Sequence, residues 1–304
     1  MEHVTLVVGE ALVDVVRRAD GATTEHAGGS AANTAVALAR LDRPVRLLTA
    51  FAEDHYGRLL AEHLAAAGVS LAGDPGAVDH TSSAVATLGP DGAASYVFDL
   101  QWRLHPVDLS GVDPVFVHTS SLAAVLAPGC EDVAALLARL ADRALVSYDV
   151  NARPSVTGTG PDVVAAVERI AALADLVKAS DEDLEALYPE LSRDEAAHRL
   201  LALGPAVVVV TEGGEGAFWV SRSGAGRVEA VPVTVADTIG AGDTFGAALI
   251  DALWERGLTG AAHRDTLARL PEEEWRGILG FAARAAAVTV SRPGADPPSR
   301  RELD

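Results

Sequence analysis

Short runs of β-branched and aliphatic residues alternate along this chain with Ala- and Leu-rich stretches of helical period. The apolar runs predict strands at Val4–Val8, Val45–Ala50, Val115–His118, Ala144–Asp149, Leu176–Lys178 and Ala206–Thr211. Between them the spacing predicts amphipathic helices near Ala31–Leu41, Tyr56–Ala67, Glu131–Ala141, Pro161–Leu173 and Arg193–Leu203. Strands apolar throughout are covered on both faces, and strand–helix–strand order gives a largely parallel sheet between helical layers. No short-period repeat or low-complexity linker interrupts the 304 residues. The chain therefore reads as one α/β domain over 1–304, long enough to bury roughly three quarters of its unfolded surface.

Two segments break the alternation. Ala11–Arg17 and Ala22–His26 read as short strands joined at Ala19-Asp20-Gly21, and Ser83–Leu88 and Ala93–Phe98 flank the turn Gly89-Pro90-Asp91-Gly92. The inserted segments, about 11–27 and 82–102, could form a small separate sheet placed as a lid over the C-terminal edge of the main sheet. The alternative is a decorated sheet edge. Tyr96, Phe98 and Trp102 could stack on a ligand or fill the lid's own small core, and the core reading is preferred for two of the three.

Charge narrows the chemistry. With 24 basic and 43 acidic residues the net charge is −19, so the chain has no clustered Lys and Arg for nucleic-acid binding. Lys178 is the sole lysine, and Cys130 the sole cysteine, which excludes an internal disulfide or a multi-cysteine metal site. The start, Met1 to Val16, lacks a signal peptide's basic and apolar regions. The longest notable uncharged stretch, Pro114 to Cys130, is broken by Pro114, His118 and Pro128. A soluble, cytoplasmic protein is expected. The phosphate loop GxxxxGK[ST], a GxGxxG after the first strand, GxSxG and HExxH are all missing.

The candidate chemistry lies in three clusters. Val235-Ala236-Asp237-Thr238-Ile239-Gly240-Ala241-Gly242-Asp243-Thr244-Phe245-Gly246 leads into a long apolar helix. Unpaired N–H groups at such a helix start form an anion site without any basic side chain. Asp243 beside a bound phosphate would accept a proton from an attacking hydroxyl; otherwise it is a helix cap. The second cluster, Ala27-Gly28-Gly29-Ser30-Ala31-Ala32-Asn33-Thr34, combines glycines for close approach, Ser30 as a cap and Asn33 as donor and acceptor; read alone, it is a loop. The third, Asp149-Val150-Asn151-Ala152-Arg153-Pro154, follows a predicted strand, where α/β sheets place site residues, and Arg153 offers a fork for phosphate or carboxylate.

Together these residues resemble the ribokinase-like (PfkB) carbohydrate kinases, from Gly9-Glu10-Ala11-Leu12-Val13-Asp14 to Ser291-Arg292-Pro293-Gly294-Ala295. The resemblance implies a three-layer α/β/α domain with a mostly parallel central sheet and a small β lid. It implies transfer of the ATP γ-phosphoryl group to a sugar hydroxyl. Asp243 would be the base, and the N–H groups from Gly240 through Ala241 and Gly242 to Asp243 the anion hole. Magnesium would bridge the phosphates, with Asp183 helping to hold it through water. Asp237 and Ile239, completed by Ser291 and Gly294, would hold a monovalent cation, expected to be potassium. Asp14, Gly28, Gly29 and Asn33 match sugar-binding positions, with Asn151 and Arg153 alongside. Lys178, Ser180, Thr211 and Gly213 match the nucleotide side.

Within that family the chain looks most like fructokinases. The 2-keto-3-deoxygluconate kinases share its Asp-x-Asn-x-Arg pattern, and Gly28–Thr34 also looks like the adenosine-kinase branch. Ser30 stands where ribokinases usually carry lysine. Two departures stand out: Ala31 replaces a common proline, and the family's Asn-x-x-Glu reads Ser180-Asp181-Glu182-Asp183. A catalytically silent binding protein on this fold would be expected to lose Gly-Ala-Gly-Asp, which this chain keeps. Exposed lid edges predict a homodimer paired through the lids.

Overall fold

The computed structural model describes residues 2–18, 20–88 and 94–304; Met1, Ala19, the turn Gly89-Pro90-Asp91-Gly92 and Ala93, the start of one expected strand, lie outside them. Thirteen strands are described, β1 (Glu2–Val8), β2 (Leu12–Arg17), β3 (Thr23–Gly28), β4 (Val45–Leu48), β5 (Ser70–Leu71), β6 (Ser83–Leu88) and β7 (Ala94–Asp99), then β8 (Val112–Ser120), β9 (Leu145–Asp149), β10 (Leu176–Ser180), β11 (Val207–Thr211), β12 (Ala217–Ser221) and β13 (Gly224–Val228). All six strands expected from the apolar runs are present, shifted by at most a few residues.

Nine strands form the main sheet in the order β13-β12-β11-β10-β9-β8-β1-β4-β5. Its pairs are parallel from β5 to β11, and only β11–β12 and β12–β13 are antiparallel. Both faces are covered. One apolar cluster gathers Val7, Leu47, Phe116, Val209 and Trp219 with the Ser30–Arg40, Ala241–Glu255 and Glu272–Val290 helices, and the other gathers Leu6, Val117, Val146 and Val208 with Gly129–Leu140, Pro161–Ala171 and Arg193–Ala202. Val208 and Val210 belong to one cluster and Val207 and Val209 to the other, which explains why Val207–Val210 is apolar without a gap.

The second sheet settles the choice left by the hairpins. It is separate, four-stranded and ordered β3-β2-β6-β7, with β2 parallel to β6 and antiparallel pairs at both edges. One face presents Asp14, His26, Ala84 and Phe98 in a row across the strands, while Val13 and Val15 on the other face join the core. Of the three aromatic residues only Trp102 is in a core, and that core is the main body's: its Nε1 donates to Ala123 O at 3.2 Å. Tyr96 and Phe98 stack on each other with ring centroids 6.0 Å apart, and Tyr96 is 61% exposed. The expectation that two of the three fill the lid's own core is corrected to none: a four-stranded ribbon with one face on the body has no interior of its own.

Among the described residues no helix is long and apolar enough to cross a membrane.

Candidate active site

In the main sheet β1 has β8 on one side and β4 on the other, so the loops leaving β1 and β8 diverge at their C-terminal ends. Open α/β sheets bind ligands at such a divergence. The polar clusters found in the sequence converge there, brought in by the Ser30–Arg40 helix, the loop after β9 and the start of the Ala241–Glu255 helix.

That last helix starts without a side-chain cap. Gly240 precedes it in the left-handed region at φ 75°, and a Cβ there would stand 2.7 Å from Ala295 Cβ. The Ala241 N–H reaches Thr238 O at 3.3 Å, and Thr244 N–H reaches Gly240 O at 2.9 Å. Among the described residues the N–H groups of Gly242 and Asp243 meet no acceptor, which leaves two donors at the positive end of a 15-residue helix.

Asp243 does not cap its own helix, which removes the simpler of its two readings. Its Oδ1 accepts from Ser30 Oγ at 2.7 Å and its Oδ2 from Asn33 Nδ2 at 2.8 Å. Ser30 Oγ in turn accepts from Asn151 Nδ2 at 2.9 Å. Ser30 was expected to cap the Ser30–Arg40 helix; the cap position belongs to Gly29, and the hydroxyl is committed to Asp243 instead. Burial raises the Asp243 carboxyl above the ordinary range. The hydrogen bonds from Asn33 and Ser30 and the charges of Lys178 and Arg153 pull it back.

Asn151 holds its place at a cost. It sits at φ 36°, and its carbonyl accepts from the hydroxyl of Ser121, itself at φ 53°. Non-glycine residues in this region are uncommon and gather at functional sites. Beside them Glu10 is buried, accepts from Ala123 N–H at 3.1 Å and is pushed up to about 7 by burial, although Arg153 acts the other way. Asp14 stands on the lid face within electrostatic reach of His26 and Arg153, and the surrounding protein raises its carboxyl. Gly28 lies against it, since a Cβ there would come 2.5 Å from Asp14 Oδ2. Gly29, at φ 100°, packs its α-carbon against the Glu10 carbonyl.

On the other flank Asp237 ties two loops together. Its Oδ1 accepts from Ile239 N–H at 3.0 Å and its Oδ2 from Gly294 N–H at 2.9 Å, and these bonds lower its carboxyl below the usual range. Asp237, Ile239, Gly294 and the nearby Ser291 are thus brought together. Ser180 and Thr211 lie opposite each other at the ends of β10 and β11, and Gly213 opens the exposed turn that follows. Asp183 is engaged on both oxygens, by Ala152 N–H and Ser180 N–H at 2.7 Å each, and so joins the loops after β9 and β10.

Lys178 is buried, with Nζ donating to Asp149 Oδ1 at 3.0 Å and Oδ2 at 2.8 Å. An ammonium in the middle of a parallel sheet needs a carboxylate within reach, and Asp149 on the neighbouring strand supplies it.

A profile of the pfkB family carbohydrate kinases matches residues 3–301. The chain belongs to that family. As a pfkB carbohydrate kinase it transfers a phosphoryl group to an alcohol. It is similar to a fructokinase of Rhizobium leguminosarum bv. trifolii, 35% identical over 259 residues that cover 82% of this chain and 79% of the relative. Its fold is similar to the ATP-bound fructokinase of Xylella fastidiosa at TM-score 0.84 and 28% identity, over 99% of this chain and 96% of that one. It also resembles a double mutant of Vibrio cholerae fructokinase bound to fructose, ADP and a potassium ion, at TM-score 0.80 and 26% identity, over 100% and 97% of the two chains.

Three residues of this pfkB site were not singled out from the sequence for what they do here: Ser30, Glu10 and Asp149. Each stands inside a recognised cluster, so position was a signal. The partners, 213 residues away for Ser30 and 113 for Glu10, were not legible.

Proposed function

We propose that this protein is an ATP-dependent fructokinase with Asp243 as its general base. The observation that carries the reading is the buried Asp243 carboxylate, held by Ser30 and Asn33 beside two unpartnered helix N–H groups. A carboxylate in that setting accepts a proton from a sugar hydroxyl, and the N–H groups at Gly242 and Asp243 meet the charge that develops on the phosphoryl oxygens. Asn33 is part of the sugar subsite, so an incoming hydroxyl takes its place on Asp243 Oδ2. Asp14, Gly28, Gly29, Asn151 and Arg153 line the same subsite.

The residues present fit the expected small molecules. The Gly240–Asp243 start offers N–H donors to a phosphate, and Ser180, Thr211 and Gly213 edge the nucleotide side. Magnesium, accompanying the nucleotide, neutralises phosphate charge; Asp183, with both oxygens already accepting N–H groups, reaches it only through water. The ionised Asp237 carboxylate, the Ile239 carbonyl and the Ser291–Gly294 turn suit potassium. The fructokinase relatives at 26–35% identity, one of them solved with fructose, ADP and potassium, support fructose as acceptor.

The test is ADP release with MgATP, with and without potassium, across fructose, 2-keto-3-deoxygluconate, ribose, adenosine and no acceptor. Fructose is expected to give the highest kcat/KM. Asp243→Asn keeps the shape but exchanges one of the two accepting oxygens for a donor NH2 and loses the proton acceptor, so turnover falls by about two orders of magnitude or more while MgATP binding survives. Highest kcat/KM with another acceptor overturns the fructose assignment, and full turnover in Asp243→Asn overturns the base.

A further inference from the structure

The structure holds a buried ion pair that the proposed chemistry has not used. Lys178 on β10 and Asp149 on β9 lie beneath the first two turns of the Ala241–Glu255 helix, with side chains 5% and 2% exposed. The helix approaches them because two of its residues lack a side chain. A Cβ at Gly242 would stand 3.4 Å from Lys178 Nζ, whereas one at Gly246, a turn further along, would stand 3.9 Å from Lys178 Cδ and 4.0 Å from Asp149 Oδ2. The spacing of four residues puts both glycines on one face. The pair is therefore oriented: its positive end lies under Gly242 and the free N–H groups, its negative end one turn deeper.

That orientation is unfavourable in the resting protein. A helix start already carries positive partial charge, so a lysine beneath it is the wrong sign unless an anion is to be bound there. Asp149 compensates the charge. The strain it accepts shows in its carboxyl, which burial pushes up to about 6 even with Lys178 bound to it. We propose that Lys178 and Asp149 are a positioning pair for the anion hole: the ammonium sets the field at Gly242 and Asp243, and Asp149 fixes where that charge stands. This rests on Asp243 being the base, as proposed above.

The groups that face Asp243 are few. Lys178 from β10 and Arg153 from the loop after β9 lower its carboxyl, while Asp149 from β9 and Glu10 from the loop after β1 share its negative charge at close range. The Ser30–Arg40 helix offers Ser30 and Asn33, both uncharged, and the Glu272–Val290 helix offers Thr289, which donates to Thr244 at 3.0 Å. Removing the Lys178 charge thus leaves Arg153 to lower the Asp243 carboxyl.

The experiment compares wild type with Lys178→Met and with the double variant Lys178→Met/Asp149→Leu, which removes both buried charges and folds even if the lone Asp149 carboxylate does not. Two readouts are taken: the pH dependence of kcat and KM for fructose, and the carboxyl titration of Asp243 by NMR in protein labelled with ¹³C-aspartate, assigned by difference from Asp243→Asn. In both variants kcat is expected to fall about tenfold or more with KM for fructose little changed, and the acid limb and the Asp243 titration to move to higher pH. An unchanged acid limb and titration in either folded variant overturns the proposal. So does a rise in KM for MgATP at unchanged kcat, which would return Lys178 to the nucleotide. The titration needs no acceptor: wild type inactive on every sugar would defeat the fructokinase reading alone, whereas a shifted titration would still uphold the pair.

Discussion

At the scale of single residues the site is a set of carboxyls held out of their ordinary range. As the proposed base, Asp243 must be ionised to accept a proton, and burial raises its carboxyl, so kcat/KM should decline as pH falls through that raised value. Glu10 makes a separate claim on stability. Its folded carboxyl titrates at about 7, against 4.5 when unfolded, so the native state binds the extra proton between these values. Stability from this group is therefore lost as pH rises from about 4.5 through 7 and stays lost above it. Glu10→Gln keeps an acceptor for the Ala123 N–H and should be more stable than wild type at pH 8, by up to about 3 kcal/mol, with the difference closing toward pH 5. Urea unfolding at the two pH values measures it, and equal stability at pH 8 contradicts the assignment. None of this was visible in the sequence beyond residue types. Asp243 and Asn33 stood out by pattern, but the Ser30 hydroxyl read as a cap because local spacing carries no sign of a partner 213 residues away.

Among the elements, strands buried on both faces were the most legible, because their apolar runs have no polar interruptions. The edge was not. β13, with the sequence Gly224-Ala225-Gly226-Arg227-Val228, has two glycines and little burial, and exists because β12 templates it. Trp219 on β12 fills the space over Gly226, a pairing visible only in three dimensions. The long Glu272–Val290 helix was not among the expected ones, although its apolar stripe of Trp275, Ile278, Leu279, Ala282 and Ala285 keeps helical spacing and packs along the Ala241–Glu255 helix. The start of the Ala241–Glu255 helix carries its own prediction. Gly240→Ala demands a left-handed alanine and drives its Cβ into Ala295, on the turn that Asp237 ties down. The backbone term costs about 1–2 kcal/mol, so Tm should fall by a few degrees. Turnover should fall further than stability explains, with KM for fructose less affected. A calorimetric scan and steady-state kinetics on the one variant check both.

Across the whole molecule the sequence conveyed the architecture better than the contacts between its parts. The lid was legible as two hairpins out of step with the alternation, yet Tyr96 and Phe98 proved to be surface residues of that lid. Tyr96 at 61% and Val97 at 65% exposure lie on edge strand β7, which has no neighbour beyond it in its sheet. An edge of this kind is stabilised when a second lid covers it. The protein is expected to be a homodimer through the lids, and light scattering at micromolar concentration should give twice the chain mass. Val97→Lys should return it to one chain mass at unchanged fold. A wild type at one chain mass contradicts the lid pairing.

The burial of Lys178 has a practical side. A protease that cuts only after lysine finds a single target in all 304 residues, in the middle of a parallel strand between two others. The folded chain offers it nothing to cleave, and opening of that sheet exposes everything at once. Cleavage by such an enzyme therefore reports how often the central sheet opens, with two fragments as the readout and no label required.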